Sequence, residues 1–539
     1  MKKNFKKWFL LQSLLLTLIY FLTGLHFEGY ESTVNYILAS RDLPQADSVI
    51  YFTNFLGIFQ LLSFISHQFE FQYAYSFFLV TFHLFGFTSL FTLLQKHRKI
   101  NFVGKVLLLN FFVLFSFSFS STKLLFVYCS LFITALQNKR KLNLIVAIIA
   151  FLIILCLRVE IAIVILFYCL IVLLLTQKKL NKIYLCSLFF AFVFLFFCNS
   201  QIKKNNPDAY YSMKLEGKLV DRNILPLIPA NELKKNHVNA KKLLGIQYLI
   251  RDDCNYDLHT IKQFSSFLDN ELLDSKKIKF YYLNAFNDFK YNLKGHYFLL
   301  FSTLIILLIF FYFEIEFSIK NIAFLAISML ISVLLCLLLL FFSFIQFQVL
   351  HSFILIILTL LILNLENKRK IGSMFNSTTL VLGLSALILV FNISKAKLVE
   401  SKFNDFDSFL RDCNKYGKLV CFSLLDGVYY QPQLFKKIDF TNKIIYLDYF
   451  ICGYIDYFEK HQKKIFGEKA GCLISRLSFC EKNKMVLISN VRYNNILFRY
   501  LMTNYKIKIL FKEINIKNNK TDLNGYFIQL KLMNHERKK

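Results

Sequence analysis

The sequence has few charged residues and very little proline. Of its 539 residues, 18% are charged and 56% are hydrophobic, and the chain contains 5 prolines. So low a charged fraction excludes a soluble globular protein. The shortage of proline argues against a transporter, because transporters commonly break their membrane helices at Gly and Pro near the bilayer midplane.

Motifs that define several enzyme classes are also missing. The chain has no P-loop, which excludes an ATP-driven pump on this chain. It lacks the Gly-x-Gly-x-x-Gly, His-Glu-x-x-His and Gly-x-Ser-x-Gly patterns of dinucleotide-binding proteins, zinc proteases and serine hydrolases. It has no Cys-x-x-Cys pair, which argues against a structural zinc site.

Long apolar runs take the place of these motifs. Runs of roughly 15 to 22 residues recur through the first 395 positions, and most are long enough to cross a bilayer. We therefore expect a mainly α, polytopic helical membrane protein with about eleven transmembrane helices. The broken run 49–66 is expected to lie in the membrane interface. The predicted spans are 8–25, 73–94, 102–120, 122–136, 143–157, 161–176, 183–198, 297–313, 321–341, 346–365 and 373–393.

The basic residues predict the orientation of these spans. Much of the net charge of +30 lies in short clusters between the apolar runs, as at 96–99, 139–141 and 368–370. Such clusters stay in the cytoplasm and contact anionic membrane lipids. We therefore interpret the positive charge as a topology signal and do not expect a nucleic-acid partner.

This topology divides the chain into two parts. Residues 1–394 form the transmembrane domain, with an acidic first outer loop at 26–72 and an outer helical insert at 199–296. Residues 395–539 form a small extracytoplasmic α/β domain, because short apolar strands alternate with helical stretches. Cysteines in these outer regions are able to form disulfides, whose pairing the sequence leaves open. The predicted strands are 418–425, 443–449, 485–489, 506–511 and 526–532.

The acidic first loop supplies the candidate catalytic residues. Glu28 and Glu31 lie three positions apart, so in a helix they share a face. Asp42 and Asp47 follow within the same loop. A carboxylate beside the membrane surface is able to take a proton from an incoming hydroxyl group or to bind a divalent cation. The candidate catalytic residues are Glu28, Glu31 and Asp47.

Three further residues are candidates for substrate binding. Arg158 and Glu160 stand in a very short turn between two predicted spans, where charge is costly unless it is paired or functional. The guanidinium group of Arg158 is well shaped for a phosphate. His351 stands at the outer end of a late span and is a candidate partner for a leaving phosphate.

The order of these features resembles the GT-C superfamily, the multi-spanning glycosyltransferases that use polyprenyl-phosphate-linked sugars. The likeness is greatest to the protein mannosyltransferase and aminoarabinose transferase branch. It lies in the basic N-terminus, the first span and Phe27-Glu28-Gly29-Tyr30-Glu31, followed by Arg41-Asp-Leu-Pro44, Asp47 and Arg158-x-Glu160. Two departures are Glu in place of the usual Asp, and Phe52-Thr-Asn54 in place of Lys-Pro-Pro.

The resemblance implies an inverting transfer of a sugar from a polyprenyl-phosphate donor to an extracytoplasmic glycan, lipid or protein. An acidic loop residue would activate the acceptor, and the resemblance leaves open a divalent cation as cofactor. It also implies a multi-pass protein of the bacterial inner membrane. Two alternatives remain: an O-antigen polymerase or ligase, whose large outer loop would be 199–296, and a non-enzymatic flippase.

Overall fold

The computed structural model is mostly helical with a small sheet. The structure describes residues 2–27, 58–71, 73–97, 100–137, 141–157, 159–176, 182–205, 211, 262–264, 266, 301–312, 318–342, 347–364, 383, 386, 390, 393, 408–421, 444–446, 466–467, 472–514 and 524–532. Residues 28–57 of the acidic loop, most of the insert 199–296 and most of the predicted span 373–393 lie outside the described residues.

The helices follow the apolar runs of the sequence. An apolar run that buries its backbone satisfies its N–H and C=O groups internally by forming a helix. The helices are α1 (Lys2–Thr23), α2 (Ile58–Gln68), α3 (Ala74–His97), α4 (Phe102–Ser116), α5 (Ser121–Gln137), α6 (Lys141–Cys156), α7 (Val159–Thr176), α8 (Lys182–Asn205), α9 (Ile319–Phe342), α10 (Phe347–Asn364), α11 (Leu473–Lys482) and α12 (Val491–Tyr505). Residues 301–312 and 408–414 are also helical.

Three of the described helices are long and apolar enough to cross a membrane, namely Lys3–Thr23, Ala74–His97 and Lys182–Gln201. Further apolar helices of 10–17 described residues coincide with predicted spans, as at Phe102–Ser116 and Ser121–Gln137. The described part of helix α2 has 11 residues. The interfacial position expected for the run 49–66 stays a prediction.

Side-chain contacts give the relative directions of several helices. The indole of Trp8 in α1 donates to Gln95 Oε1 at the far end of α3 (2.9 Å), so α1 and α3 are antiparallel. The ring of His97 at the end of α3 lies 3.2 Å from the carbonyl oxygen of Leu363 at the end of α10. Helices α3 and α10 therefore end on the same side of the bundle, as the charge pattern predicts.

Two short strands close the opposite end of the bundle. Helix α1 stops at Thr23 because Gly24 takes a positive φ of 68°, a conformation that suits glycine and ends a helix. The chain then forms β1 (His26–Phe27), which pairs in parallel with β2 (Ser118–Phe119) between α4 and α5. Parallel pairing places the ends of α1 and α4 together.

The C-terminal region contains a five-stranded sheet in the order β4-β3-β5-β7-β6. Its strands are β3 (Leu419–Cys421), β4 (Ile444–Tyr446), β5 (Val486–Ser489), β6 (Ile507–Glu513) and β7 (Asn524–Leu532). Strands β4, β3 and β5 are parallel, and β7 is antiparallel to both of its neighbours. Each strand falls on one of the five predicted runs, so the α/β character of this region is confirmed.

The central strand of the sheet is buried, and the fully buried Arg476 of α11 lies in the same region. All four residues of the central strand β5 are buried, as expected for a strand covered on both faces. Asn490 then caps α12 by accepting a hydrogen bond from the backbone N–H of Tyr493 (2.8 Å). The chain that enters β3 lies close to the chain that enters β5. A Cβ on Gly417 would stand 2.7 Å from the carbonyl oxygen of Lys484.

Candidate functional site

A buried lysine lies where the two short strands close the bundle. The side chain of Lys123, in the first turn of α5, is fully buried. Its ammonium group donates to Ser118 Oγ at 2.8 Å and to the Ser118 carbonyl oxygen at 3.1 Å. It also lies 5.6 Å from the centre of the Phe115 ring. Neutral oxygen atoms and an aromatic face are therefore among the partners of a cation that lies inside a largely apolar bundle.

The local sequence explains why the lysine is held at this point. Ser120 caps α5, since its hydroxyl oxygen accepts a hydrogen bond from the backbone N–H of Lys123 (3.2 Å). The cap fixes Lys123 as the third residue of the helix. A helix N-terminus carries positive partial charge, so it disfavours a cation and favours an anion. Both the lysine and the helix end therefore attract negative charge to the same place.

The β1–β2 pair connects this lysine to the start of the acidic loop. His26 pairs with Ser118, the residue that holds the ammonium group, and Phe27 pairs with Phe119. The ring of His26 is buried and donates from Nε2 to the carbonyl oxygen of Thr23 (2.8 Å), which can only accept. The chain thus enters the acidic loop directly from a strand that contacts the lysine-binding turn.

A buried histidine on α3 lies beside the same turn. Ser116 gives its hydroxyl proton to the carbonyl oxygen of Phe112 (2.7 Å), so the Nε2 atom of His83, 3.2 Å away, must be the donor to Ser116 Oγ. The imidazole ring also packs on Phe119, with the ring centres 4.9 Å apart. It lies close enough to Lys123 for the two groups to interact electrostatically.

These polar residues form one group at the junction of α1, α3, α4 and α5. We name it the Lys123 cluster, and its members are Thr23, His26, His83, Ser116, Ser118 and Lys123. Burying a charge costs several kcal/mol unless good partners compensate. Such a group inside an apolar helical bundle is more often retained for function than for stability.

Most of the predicted site residues lie outside the described part of the chain. Glu28 follows the last residue of β1 in the sequence, and Glu31, Asp47 and Arg158 are likewise outside the described residues. Their proposed roles therefore stay predictions.

The structure describes Glu160 and the backbone of His351. Glu160 is the second residue of α7, where the positive helix end favours its carboxylate, and both carboxylate oxygens are buried. It interacts electrostatically with Cys198 on α8. His351 is the fifth residue of α10, two positions before Phe353.

The position of α10 relates His351 to the Lys123 cluster. The ring centres of Phe353 and Phe126 are 5.2 Å apart, and Phe126 lies three residues after Lys123 on α5. Because α5 and α10 run in the same direction, as do α3 and α10, the first turns of α5 and α10 stand at the same end of the bundle. The backbone of His351 is thus placed at the level of the cluster.

Sequence reasoning missed Lys123 and His83, although each left a signal. The predicted topology puts Lys123 at the outer end of the predicted span 122–136, where the positive-inside rule disfavours an isolated lysine. His83 is an ionisable residue in the middle of a predicted span, and such residues are functional candidates. In both cases the signal was an ionisable residue at a position where the predicted topology disfavours one.

The described residues include no group of three or more His, Cys, Asp or Glu side chains placed to hold a metal ion. The carboxylates predicted to bind a divalent cation belong to the acidic loop, which lies outside those residues. In the comparisons with known proteins, no family model, no curated protein and no solved structure matches the chain.

Proposed function

We propose that the chain is an integral-membrane glycosyltransferase that moves a sugar from a polyprenyl-phosphate donor to an extracytoplasmic glycan, lipid or protein. The observation that carries the proposal is the buried ammonium group of Lys123, held by Ser118 beside the strand that leads into the acidic loop. An anion-binding cation and a proton-accepting carboxylate at one membrane surface are what such a transfer requires.

The packing of the helices supports a multi-pass arrangement. Helix α1 runs against α3, while α3 and α10 end together, in agreement with the alternation expected from the basic clusters. The N-terminus and the ends of α3 and α10 would then face the cytoplasm, and the Lys123 cluster would face outward. We place the protein in the bacterial inner membrane on the resemblance given above.

The cysteines of the C-terminal region support an extracytoplasmic position for its sheet. Cys472 is disulfide-bonded, whereas Cys413 and Cys480 are free and buried. Disulfides persist in oxidising compartments and are rare in the cytoplasm. With the tail outside, the acidic loop and the sheet would share one side of the membrane.

In the proposed reaction the acceptor hydroxyl attacks the anomeric carbon of the donor sugar. The carbon–oxygen bond to phosphate breaks, and polyprenyl phosphate leaves with the bonding electrons. Glu28 or Glu31 takes the hydroxyl proton, with Asp47 as the next candidate base. Lys123 and the positive end of α5 stabilise the negative charge that develops on the departing phosphate.

The remaining candidates act on the same phosphate. Arg158 would bind two of its oxygen atoms through its planar guanidinium group. Glu160 would hold Arg158 in position as its ion-pair partner, and His351 would donate a hydrogen bond to the leaving group. A divalent cation would supply further positive charge, held by acidic-loop carboxylates.

The direct test is the consumption of a lipid-linked sugar. The purified chain in lipid nanodiscs is given radiolabelled polyprenyl-phosphate sugars, with mannose, glucose and aminoarabinose in turn, together with a bacterial envelope extract that supplies glycan, lipid and protein acceptors, and release of polyprenyl phosphate is measured. Lys123→Met should lower release about a hundredfold, the scale expected for losing one group that stabilises transition-state charge. Lys105→Met, on α4, is the matched control and should retain activity.

Arg158→Lys in the same assay should weaken use of the donor about tenfold, because a point charge replaces a bidentate clamp. If every donor stays intact with the wild-type chain, or if Lys123→Met turns over as fast as Lys105→Met, the proposed reaction is wrong. Elution of each variant as a single folded species shows that loss of activity is not loss of fold.

A further inference from the structure

One exposed face of strands β6 and β7 carries three lysines and no acidic side chain. Lys508 of β6 lies directly opposite Lys531 of β7, and Lys512 follows four residues along β6 on the same face. All three side chains are exposed. The other residues of this face between them are Leu510, Phe527 and Gln529. We name the surface formed by these six residues the lysine face.

The three lysines repel one another unless an anionic partner is present. Side chains directly opposite on antiparallel strands have Cβ atoms about 5 Å apart, and like charges in that position are unfavourable. Lys512 stands about 13 Å from Lys508 along the strand. No ion pair within the described residues involves any of the three ammonium groups. The lysine face therefore presents a concentrated positive charge that fits an anionic partner.

The lysine face lies on the side of the sheet that is turned toward the helical bundle. Successive strand residues point to opposite faces, and directly paired residues share a face. Val486 and Ile488 of β5 lie on the side of Phe527, because Val486 pairs with Phe527. Both belong to the continuous apolar core that includes the bundle helices, whereas the buried Leu487 between them does not. The side of β5 that shares the bundle core is thus the side on which the lysines lie.

The chain also enters the sheet on this side. The helix at 408–414 follows the last predicted span, 373–393, in the sequence. It packs on β7, because a Cβ on Gly525 would stand 3.2 Å from Cys413 Sγ. Gly525 pairs with Ile488, so it belongs to the side of the lysine face. Strands β7 and β6 lie about 5 and 10 Å beyond β5, so the lysine face extends sideways from the junction with the bundle, where a membrane surface would surround the helices.

We propose that the lysine face binds the anionic phospholipid headgroups of the membrane that surrounds the bundle. Charge complementarity selects the partner, since three cations spread over an open strand pair match separate phosphate groups on a surface. The helices keep the sheet beside that surface, so it is present at high effective concentration, unlike a free acidic glycan. Each lysine near an anionic membrane surface strengthens binding about fivefold. The inference needs a membrane-embedded bundle but does not depend on sugar transfer.

The experiment compares lysine reactivity in two kinds of nanodisc that contain the full chain. One kind holds phosphatidylcholine alone, and the other holds equal parts of phosphatidylcholine and phosphatidylglycerol. A pulse of an acetylating reagent is followed by mass spectrometry. Lys508, Lys512 and Lys531 should react at least about tenfold more slowly in the anionic discs, since three lysines contribute about fivefold each. About 1 M salt shortens the Debye length to about 3 Å and should abolish the protection.

Lys482 provides the control for both the labelling and the variants. It is exposed at the end of α11, whose buried Leu477 lies outside the core shared with the bundle, and it should react equally in both discs. Lys512→Gln should lower the protection of Lys508 and Lys531 about fivefold, because one of the three charges is lost. Lys512→Arg keeps the charge and Lys482→Gln changes another surface, so both should leave the protection unchanged.

Two results would overturn the proposal. Equal reactivity of the three lysines in the two discs would leave them as charges that shield the outer strand of the sheet from pairing. Protection by a soluble acidic polysaccharide in phosphatidylcholine discs, without protection by phosphatidylglycerol, would assign the face to an acidic glycan. Sugar release is measured separately in the same discs. Absence of sugar release with intact protection would contradict the proposed transfer and leave the lysine face standing.

Discussion

The Lys123 cluster and the C-terminal sheet differ in what they bury. The cluster buries a lysine, two histidines and several hydroxyl groups among phenylalanine rings. The sheet buries aliphatic strands, such as Val486, Leu487 and Ile488 in β5, against aliphatic residues of its helices. Both regions are closely packed and both bury a basic side chain, since Arg476 on α11 is also fully buried, but the central strand β5 of the sheet is apolar except for Ser489.

This difference predicts which substitutions reduce activity and which reduce stability. Replacing a buried charge by an apolar side chain of similar volume is often neutral or stabilising. Stability therefore does not explain why the cluster contains a buried charge. Removing volume or adding strain in an apolar core is destabilising by several kcal/mol. We therefore expect changes in the cluster and its loop to reduce activity, and changes in the sheet to reduce stability.

The largest effect is expected in the acidic loop next to the cluster. Combining Glu28→Gln with Glu31→Gln should abolish sugar transfer and leave folding and donor binding largely intact. The amide keeps the size of the side chain but cannot accept a proton near neutral pH. Glu513→Gln, an exposed change on β6 of the sheet, is the control and should retain full activity.

The measurement is glycan output from cells that lack the native copy and carry each variant. Normal output from the double variant would refute the role of Glu28 and Glu31 and make Asp47 the next residue to change.

The second effect belongs to the sheet. Gly417→Leu should lower the free energy of unfolding of the C-terminal region by about 3 kcal/mol, because its side chain meets a backbone carbonyl that cannot move aside. Gly383→Ala is the control, since no atom of the described residues lies within 4 Å of a Cβ at that position. Limited proteolysis of the full chain in increasing urea reports the change.

Equal protease resistance of the two glycine variants would contradict the close approach at Gly417. Donor consumption per folded molecule should match the wild type in both.

The buried thiols of the sheet region give a pH-dependent effect. Burial raises the pKa of Cys413 to about 12 and that of Cys480 to about 12. An unfolded thiol loses its proton near pH 9, whereas the folded thiols keep theirs, so their contribution to stability is complete below pH 9 and is lost as the pH rises toward 12. Between pH 8 and 10.5 the loss should be on the order of 2 kcal/mol for each thiol, or about 4 kcal/mol in total.

Replacing both thiols by alanine isolates this contribution from other groups that titrate in the same range. The urea midpoint of proteolysis should fall more between pH 8 and 10.5 for the wild type than for the Cys413→Ala, Cys480→Ala variant. Parallel curves for the two proteins would show that the thiols are accessible to solvent.

The smallest effect is expected where charge is replaced in the cluster. Lys123→Met should lower the free energy of unfolding of the bundle by no more than about 1 kcal/mol, although it lowers donor turnover. Differential scanning fluorimetry of the nanodisc-free protein in detergent measures this. Strong destabilisation would mean that Lys123 holds the fold together, and the contrast between cluster and sheet would then fail.

Part of this architecture could be predicted because it depends on local patterns. The five short apolar runs near Leu419, Ile444, Val486, Ile507 and Asn524 all form strands. The described apolar runs of the first 365 residues form helices that overlap the predicted spans. Period and length are properties of the chain itself, so a sequence reveals them without any knowledge of contacts.

The functional arrangement depends on contacts between distant residues, and tertiary structure decided it. By sequence, Lys123 is one of 64 basic residues, and His83 is a histidine in a long apolar run. Only the pairing of His26 with Ser118, across more than ninety positions, brings the start of the acidic loop to the turn that holds the lysine. Composition and periodicity determined a helical bundle with a small sheet, while the packing of α1, α3, α4 and α5 determined where its buried charge lies, because burial is a property of the assembled fold.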